Sequence, residues 1–474
     1  MGSRDRSILH ANAAAHPRKS ADRRSMCGRE RTPRYAKGRA RPQSVRARRG
    51  GDAFGDTLRD DVTRPDDYDE VPYEDRPVAE THPDRLHRVA RAAGLPIAPP
   101  ERARILELGC AHAVNLLPIA AALPGARVLG IDRSARQIER ARHDVAAVGL
   151  TNLEVRCADV MDLDLGGERF DYVIVHGVLS WVPDAVRDRV LSLCATVLDA
   201  AGVAYVSYNA MPGWAVGDGV RRTLRELVGD GPATERVAEA RAALAWLRGA
   251  SPDPEVVEAV LLDQELAELE HRTDAYLLHE YLVPDGRAYW LREFVALAEQ
   301  AGLAYVDDVA RVGLDDAERQ VLEDRVAART SDPIARAQLF DVLAHRRFRA
   351  SVLAHADAPR VADRRPHGRS RVPAVASIPA RPCVSVLARF EAEHRGFVTT
   401  PEHACAPVDP FVACVVARLD GTRTEGDLVA ALTDDLRSGR LRADAPLAAI
   451  EPALPRLIHG ALERLRAEGL LLPP

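Results

Sequence analysis

Between Arg104 and Asp132 the chain reads RILELGCAHAVNLLPIAAALPGARVLGID: a strand, a tight turn, a helix and a second strand. Arg104 to Leu108 is a short apolar run of the kind that forms a buried parallel strand. Gly109 follows where the chain must turn sharply. The helical run Asn115 to Leu123 stops at Pro124-Gly125, and Arg127 to Ile131 delivers Asp132. Asp132 stands 23 positions after Gly109. An acid at about that distance accepts hydrogen bonds from two ribose hydroxyls in nucleotide-binding βαβ units. The stretch calls for a parallel α/β sheet and points to a nucleoside-containing cofactor.

The rest of the chain narrows the class. At 474 residues there is length for two to four domains. No apolar run approaches the ~20 residues that span a bilayer, and no N-terminal apolar region resembles a secretory signal. Seven cysteines, at positions 27, 110, 157, 194, 383, 405 and 414, form no CxxC pair. A zinc site or disulfide framework is therefore not expected, and the reading is a reduced, cytoplasmic protein with no metal. Of 65 basic residues only Lys19 and Lys37 are lysine, a bias of GC-rich bacterial coding rather than of chemistry. Residues 1–50 carry a net +12, leaving −17 on the remainder. That basic segment lacks apolar periodicity and is expected to be disordered. It is either an arm for acidic surfaces or an over-long start, with the functional chain beginning near residue 53. The acidic remainder argues against specific nucleic-acid binding.

After a basic tail (1–52), a sheet domain occupies 53–215. Within it, Thr81 is placed to cap a helix with Pro83 in its first turn, and Ser134-Ala-Arg-Gln137 reads as a capping box. Further strands are expected at Leu153–Cys157, Phe170–Val175 and Val203–Ser207, with a helix at Asp184–Ala200. Their C-terminal ends lead to Asp159, His176-Gly177 and Tyr208-Asn209, on the edge where doubly wound sheets bind ligands. Residues 216–271 read as a helical insertion. Residues 272–356 complete the sheet, or 216–356 form a separate helical domain. Residues 357–380 read as a linker. Residues 381–474, with a helix, turn and helix followed by a long helix at Leu454–Glu468, have the order of a winged-helix-like domain. The fold class is thus α/β: a doubly wound Rossmann-like sheet with a helical insertion and a C-terminal winged-helix-like domain.

The turn itself discriminates between cofactors. A dinucleotide needs glycine where its pyrophosphate meets the backbone, and this chain has Ala111 and Val114 there. S-adenosylmethionine (SAM) has no pyrophosphate and presents an amino acid end to the turn. Glu107 and Gly109 would face that end, Asp132 the ribose, and Asp159, just past the third strand, the adenine. Gln137 is either a cap or a cofactor contact, and His112 either touches the cofactor carboxylate or faces solvent. His279-Glu280 is rejected as a metal pair, because adjacent helical residues point apart.

Glu107-x-Gly109-x-Ala111-x-Ala113, Asp132 and Cys157-Ala-Asp159 resemble the motifs of class I SAM-dependent methyltransferases. YDEVPY at 68–73, THPDRL at 81–86, GIDRSARQI at 130–138, HGVLSWVPDAVRD at 176–188, AYVSYNAMPGW at 204–214, DAYLLHEYL at 274–282 and RRFRASVL at 346–353 are similar to bacterial methyltransferases carrying a methyltransferase regulatory domain. DGTRTEGDL at 420–428 fits their C-terminal segment. That family includes the rickettsial protein lysine methyltransferases. The resemblance covers about residues 65–474. It implies a SAM-binding Rossmann-like domain, with Ala111 and Asn115 in the cofactor turn and Tyr68 and Tyr73 folding over the cofactor. Where the family commonly has Gly-Gly before the asparagine of the turn, this chain has Ala113-Val114.

The function expected is methyl transfer from SAM to a protein or peptide side chain such as lysine. His176 would contact the cofactor or take the acceptor's proton. Tyr208 and Asn209 would be catalytic, with Tyr208 and Trp214 lining a channel for an alkylammonium. The alternatives are a methyltransferase-like regulatory or scaffold protein with an impaired cofactor turn, and a small-molecule methyltransferase. A homodimer is left open.

Overall fold

The computed structural model describes residues 67–71, 76–250, 253, 255–309, 314–365, 375–441 and 446–473, without the side chains of residues 68 and 69. The basic tail, Tyr73, the Tyr68 side chain and residues 366–374 lie outside that description.

Five strands of the first half are parallel: β1 (Arg104–Leu108), β2 (Arg127–Asp132), β3 (Leu153–Cys157), β4 (Phe170–Val175) and β5 (Leu198–Asn209). With β6 (Leu303–Asp308) and β7 (Phe348–His355) they form one sheet in the order β3-β2-β1-β4-β5-β7-β6, β7 running antiparallel to both its neighbours. The alternation of side chains along each strand explains why the runs are apolar throughout. Ile105, Tyr172, Ile174 and Tyr205 enter the core on one face, while Leu106, Leu108, Val173, Val175, Val206 and Tyr208 enter the core on the other. Both faces are covered by helices, so the central strands are buried along their length except near their N-terminal ends. The strand order reverses between β1 and β4, and this doubly wound arrangement leaves a crevice at the strands' C-terminal ends.

Local chemistry sets several boundaries differently from the sequence reading. His82, not Thr81, caps the helix Pro83–Ala92, its Nδ1 accepting from the Asp84 N–H at 3.2 Å. Thr81 belongs to a single 3-10 turn, Ala79–Thr81. Ser134 caps the helix Ala135–Val148 through the Gln137 N–H, but the Gln137 side chain turns to His112 instead of closing a capping box. The helix Asp184–Val197 stops three residues early because β5 already begins at Leu198, which pairs with Phe170 across a register shift.

Helices Ala215–Leu227, Ala233–Leu247 and Val257–Glu270 follow β5 and close over a core of their own, around Trp214, Leu224, Leu244, Leu266, Leu277 and Tyr281. Just after β7, Arg91 donates to the carbonyls of Asp363 and Arg365, and the Val361 N–H donates to the Gly94 carbonyl. The winged helix domain holds helix Val386–His394, the hairpin of β8 (Phe397–Thr399) and β9 (Cys405–Pro407), and helices Pro410–Val416, Glu425–Arg437 and Leu454–Ala467. It docks through Leu387 and Phe390, which join the sheet's core, and through an ion pair of 2.6 Å between the shielded side chains of Arg395 and Asp144. Among the described residues no helix is long and apolar enough to cross a membrane.

The antiparallel strand is locked by charge. Arg349 of β7 is 1% exposed; it bonds both oxygens of the fully buried Asp341 and also pairs with Asp308. Arg349→Ala leaves Arg346 alone against two buried carboxylates, Asp308 and Asp341, and is expected to lower unfolding free energy by about 3–5 kcal/mol in urea titrations.

Candidate functional site

Gly109 ends β1 with φ +77, and a Cβ there would lie 2.7 Å from Val178 Cγ2, so both the backbone and the space require glycine. The amides of Gly109 and Cys110 both donate to the Ile131 carbonyl, at 2.8 and 3.0 Å. The chain then enters the left-handed region twice more, at Ala111 (φ 46) and Ala113 (φ 60), while Val114 stays out of it. The non-glycine residues of the turn are thus accommodated by placing the strain on the two alanines, whose single methyl costs least.

Asp132 holds this turn to the next. Its Oδ2 accepts from the Ala111 N–H at 2.8 Å and its Oδ1 from the Ser134 N–H at 2.9 Å. The carboxylate thereby stands at the crevice end of β2, between the turn and the helix start.

Glu107 sits beneath the turn and is 3% exposed. Its Oε1 accepts from Asn115 Nδ2 at 2.9 Å, while Oε2 is buried without a hydrogen-bond partner among the described residues. Burial pushes the carboxyl up to about 8; the Asn115 amide opposes this and the nearby Asp132 adds to it. Asn115, also buried, is a hub. Its Nδ2 also donates to Thr81 Oγ1 at 2.9 Å, and its Oδ1 accepts from the Val78 N–H and from His403 Nε2, each at 3.0 Å. His403 lies 288 positions away, in the turn between β8 and β9. The sequence reading missed it, and no local motif marks it. Thr81, read as a helix cap, is part of the same cluster.

The other candidates separate into two groups. Asp159 is exposed just beyond β3, its Oδ1 accepting from the Met161 N–H at 2.9 Å. His176, beyond β4, has Nδ1 3.0 Å from Tyr205 Oη and 3.2 Å from Ser207 Oγ, and desolvation pushes it down to about 4, so the ring is neutral at pH 7. Asn209 ends β5 with its backbone N–H donating to Ser180 Oγ and its Nδ2 buried without a partner among the described residues. These stand on the crevice edge of the sheet.

Tyr208 does not: it is 1% exposed, stacks on Phe294 at 4.2 Å between ring centres, and has its hydroxyl 3.2 Å from Ser351 Oγ. The strand's alternation sends it to the face opposite Tyr205 and Ser207, so it lines no open channel. Trp214 is likewise 4% exposed, packed under the inserted helices against Tyr281, with the Arg347 guanidinium 5.0 Å from its ring centre. His112 is buried, not solvent-facing, with Nδ1 3.1 Å from Gln137 Oε1. That contact turns the Gln137 side chain towards His112.

Two stability measurements follow. Ala111→Gly relieves a left-handed alanine and is expected to stabilise by about 0.5–1 kcal/mol, whereas Ala113→Gly also loses a buried methyl worth about 0.8 kcal/mol and should be near neutral. For Glu107 the folded carboxyl keeps its proton to about pH 8, while the unfolded one loses it near 4.5. The native state then binds the extra proton, and stability falls as pH rises through that window. Glu107→Gln removes this loss, so the variant should exceed the wild type at pH 8 by on the order of 2–4 kcal/mol, with the gap closing towards pH 4.5.

Comparison with known proteins gives three matched regions along the chain. Residues 105–202 match a methyltransferase domain, 273–355 a "predicted methyltransferase regulatory domain", and 380–470 the "PKMT, C-terminal winged helix domain". The Rickettsia prowazekii protein RP789 is 35% identical over 297 residues, covering 61% of this chain and 53% of that protein. RP028 of the same organism is 30% identical over 238 residues, covering 49% of this chain and 94% of that protein. The chain therefore spans about half of the first relative and nearly all of the second. In fold it is similar to PKMT2 from Rickettsia typhi, with a TM-score of 0.72 at 21% identity over 85% of this chain and 100% of that one; PKMT2 has also been solved in complex with AdoHcy. The chain belongs to the family of RP028, and its matched regions are, in order, a class I SAM-dependent methyltransferase domain, a methyltransferase regulatory domain and a PKMT C-terminal winged helix domain.

Proposed function

We propose that the chain is a SAM-dependent methyltransferase acting on an amine of a protein or peptide, with a lysine side chain as the acceptor. The observation that carries the cofactor half is Glu107 Oε2, a buried carboxylate oxygen with no partner among the described residues beneath the turn. Such an atom is costly unless a cation meets it, and the α-ammonium of SAM supplies one. Ionising Glu107 against that ammonium would return its pKa towards the ordinary carboxylate range.

The other residues fit the same ligand. Asp132, a carboxylate at the crevice end of β2, suits ribose hydroxyls, and Asp159, just beyond β3, suits the amino group of adenine. Gly109 and the two left-handed alanines keep bulk off the turn. When bound, SAM supplies a methyl group made electrophilic by the adjoining sulfonium.

The chain's own work is then to align an acceptor nitrogen with that methyl and to keep water out. An ammonium acceptor must first lose a proton. The neutral His176, held at Nδ1 by Tyr205 and Ser207, would present Nε2 as a hydrogen-bond acceptor that orients the amine, while the proton itself leaves to solvent before the site closes. Asn209 Nδ2 offers a donor beside it on the crevice edge. A protein or peptide acceptor is supported by the PKMT-type winged helix domain and by the net −17 carried outside the first fifty residues, which favours a cationic partner.

Incubating the protein with tritiated SAM and a cell lysate tests the reading. Label is expected in protein bands and should fall at least tenfold with Asp132→Ala, since that carboxylate both anchors the turn and faces the ribose. Label confined to low-mass products would replace the acceptor class. Labelling that survives Asp132→Ala unchanged would remove the site.

A further inference from the structure

The winged helix domain reaches into the cofactor turn with one side chain. His403 sits at φ 61 in the turn of the β8–β9 hairpin and is 2% exposed. Its neighbours hold it there: the His403 N–H donates to the Thr400 carbonyl at 2.9 Å, the Thr400 N–H to the Ala404 carbonyl at 2.9 Å, and the Ala404 N–H to Thr400 Oγ1 at 3.3 Å. Glu391, on the helix before the hairpin, accepts from both the N–H and the hydroxyl of Thr399 at 2.7 Å. A left-handed non-glycine residue, buried and supported from both sides, is the kind of strain that persists where the surroundings over-determine it.

What His403 does follows from the hydrogen bonds of Asn115. A primary amide has one acceptor and one donor end. The Asn115 oxygen faces the Val78 N–H, an obligate donor, and also His403 Nε2 and Thr81 Oγ1. Turning the amide over would set NH2 against the Val78 N–H, so its orientation is determined, its Nδ2 faces Glu107 Oε1 and Thr81 Oγ1, and His403 Nε2, meeting an oxygen, must donate. For Nε2 to donate, the ring must be protonated there. Burial, with His82 at 5.1 Å between ring centres and Arg85 nearby, keeps His403 far below the usual histidine range, so it is a neutral ring with a single N–H.

We infer that His403 is a positioning residue for the cofactor site: through the Asn115 amide it sets the Glu107 carboxylate that receives the ammonium of SAM, so that the winged helix domain completes the cofactor pocket as well as serving the acceptor. The inference rests on the cofactor reading above. It gives the C-terminal domain a second task that its match to a winged helix does not assign.

The test uses the full chain with three variants: His403→Ala, His403→Gln, whose amide keeps an N–H donor, and Arg395→Ala, which loosens the domain contact at Asp144 without touching Asn115. In ligand-free protein, hydrogen exchange of the 107–117 segment should rise in His403→Ala, return most of the way to the wild-type rate in His403→Gln, and stay at that rate in Arg395→Ala. By calorimetry, His403→Ala should weaken SAM about five- to tenfold, the scale of one buried hydrogen bond, and raise KM for SAM with kcat nearly unchanged. Arg395→Ala should lower Tm yet keep the wild-type affinity for SAM. A His403→Ala protein that melts lower but shows wild-type exchange in the turn would make His403 a packing residue and overturn the inference. If the wild-type chain binds no SAM, the proposed function fails, and the exchange data still decide whether His403 positions the turn.

Discussion

Everything at the crevice depends on a single carboxylate, that of Asp132. Its two oxygens accept from the Ala111 N–H and the Ser134 N–H, and so hold together the turn after β1 and the helix start after β2. The turn can then spend three left-handed residues in a row of five, at Gly109, Ala111 and Ala113, because its amides are accepted rather than left bare. Beneath it Glu107 is deprived of water, and beside it Asn115 gathers partners from two distant parts of the chain, Val78 with Thr81 and His403.

The same turn shows how the departure from a glycine-rich pattern is accommodated. Left-handed geometry at an alanine costs about 1–2 kcal/mol, a sum that a domain with cores on both sheet faces absorbs. Val114, the bulkiest of the substitutions, avoids the region altogether and is buried. The sequence alone placed the substitutions but could not assign the backbone angles, since those depend on which amide reaches Asp132.

What was legible in the residues was whatever is local. The apolar runs located the strands, and the acids at their ends located Glu107, Asp132 and Asp159, because ligands meet doubly wound sheets on that edge. Tyr208 was misplaced for a reason also visible in the sequence: it neighbours Asn209 on a strand, and neighbours on a strand point to opposite faces. Putting both beside one substrate ignored that parity. The start of β5 at Leu198 was hidden because Asp199, Ala200 and Gly202 look like a helix end. His403 was not legible at all, since its partner is 288 positions earlier and the link is made by tertiary packing.

The antiparallel β7 has a consequence for how the chain is made. It pairs with β5 from Ala204↔Leu353 to Asn209↔Phe348, so one side of β5 stays unpaired until β7 has been synthesised. At cellular elongation speeds the intervening stretch takes on the order of ten seconds. For that interval the nascent sheet presents a bare edge of alternating apolar residues, the kind of surface that recruits foreign strands. The inserted helices emerge first and have their own core around Trp214 and Leu244. They can fold during that wait, so the insertion also determines how long the unfinished sheet is exposed.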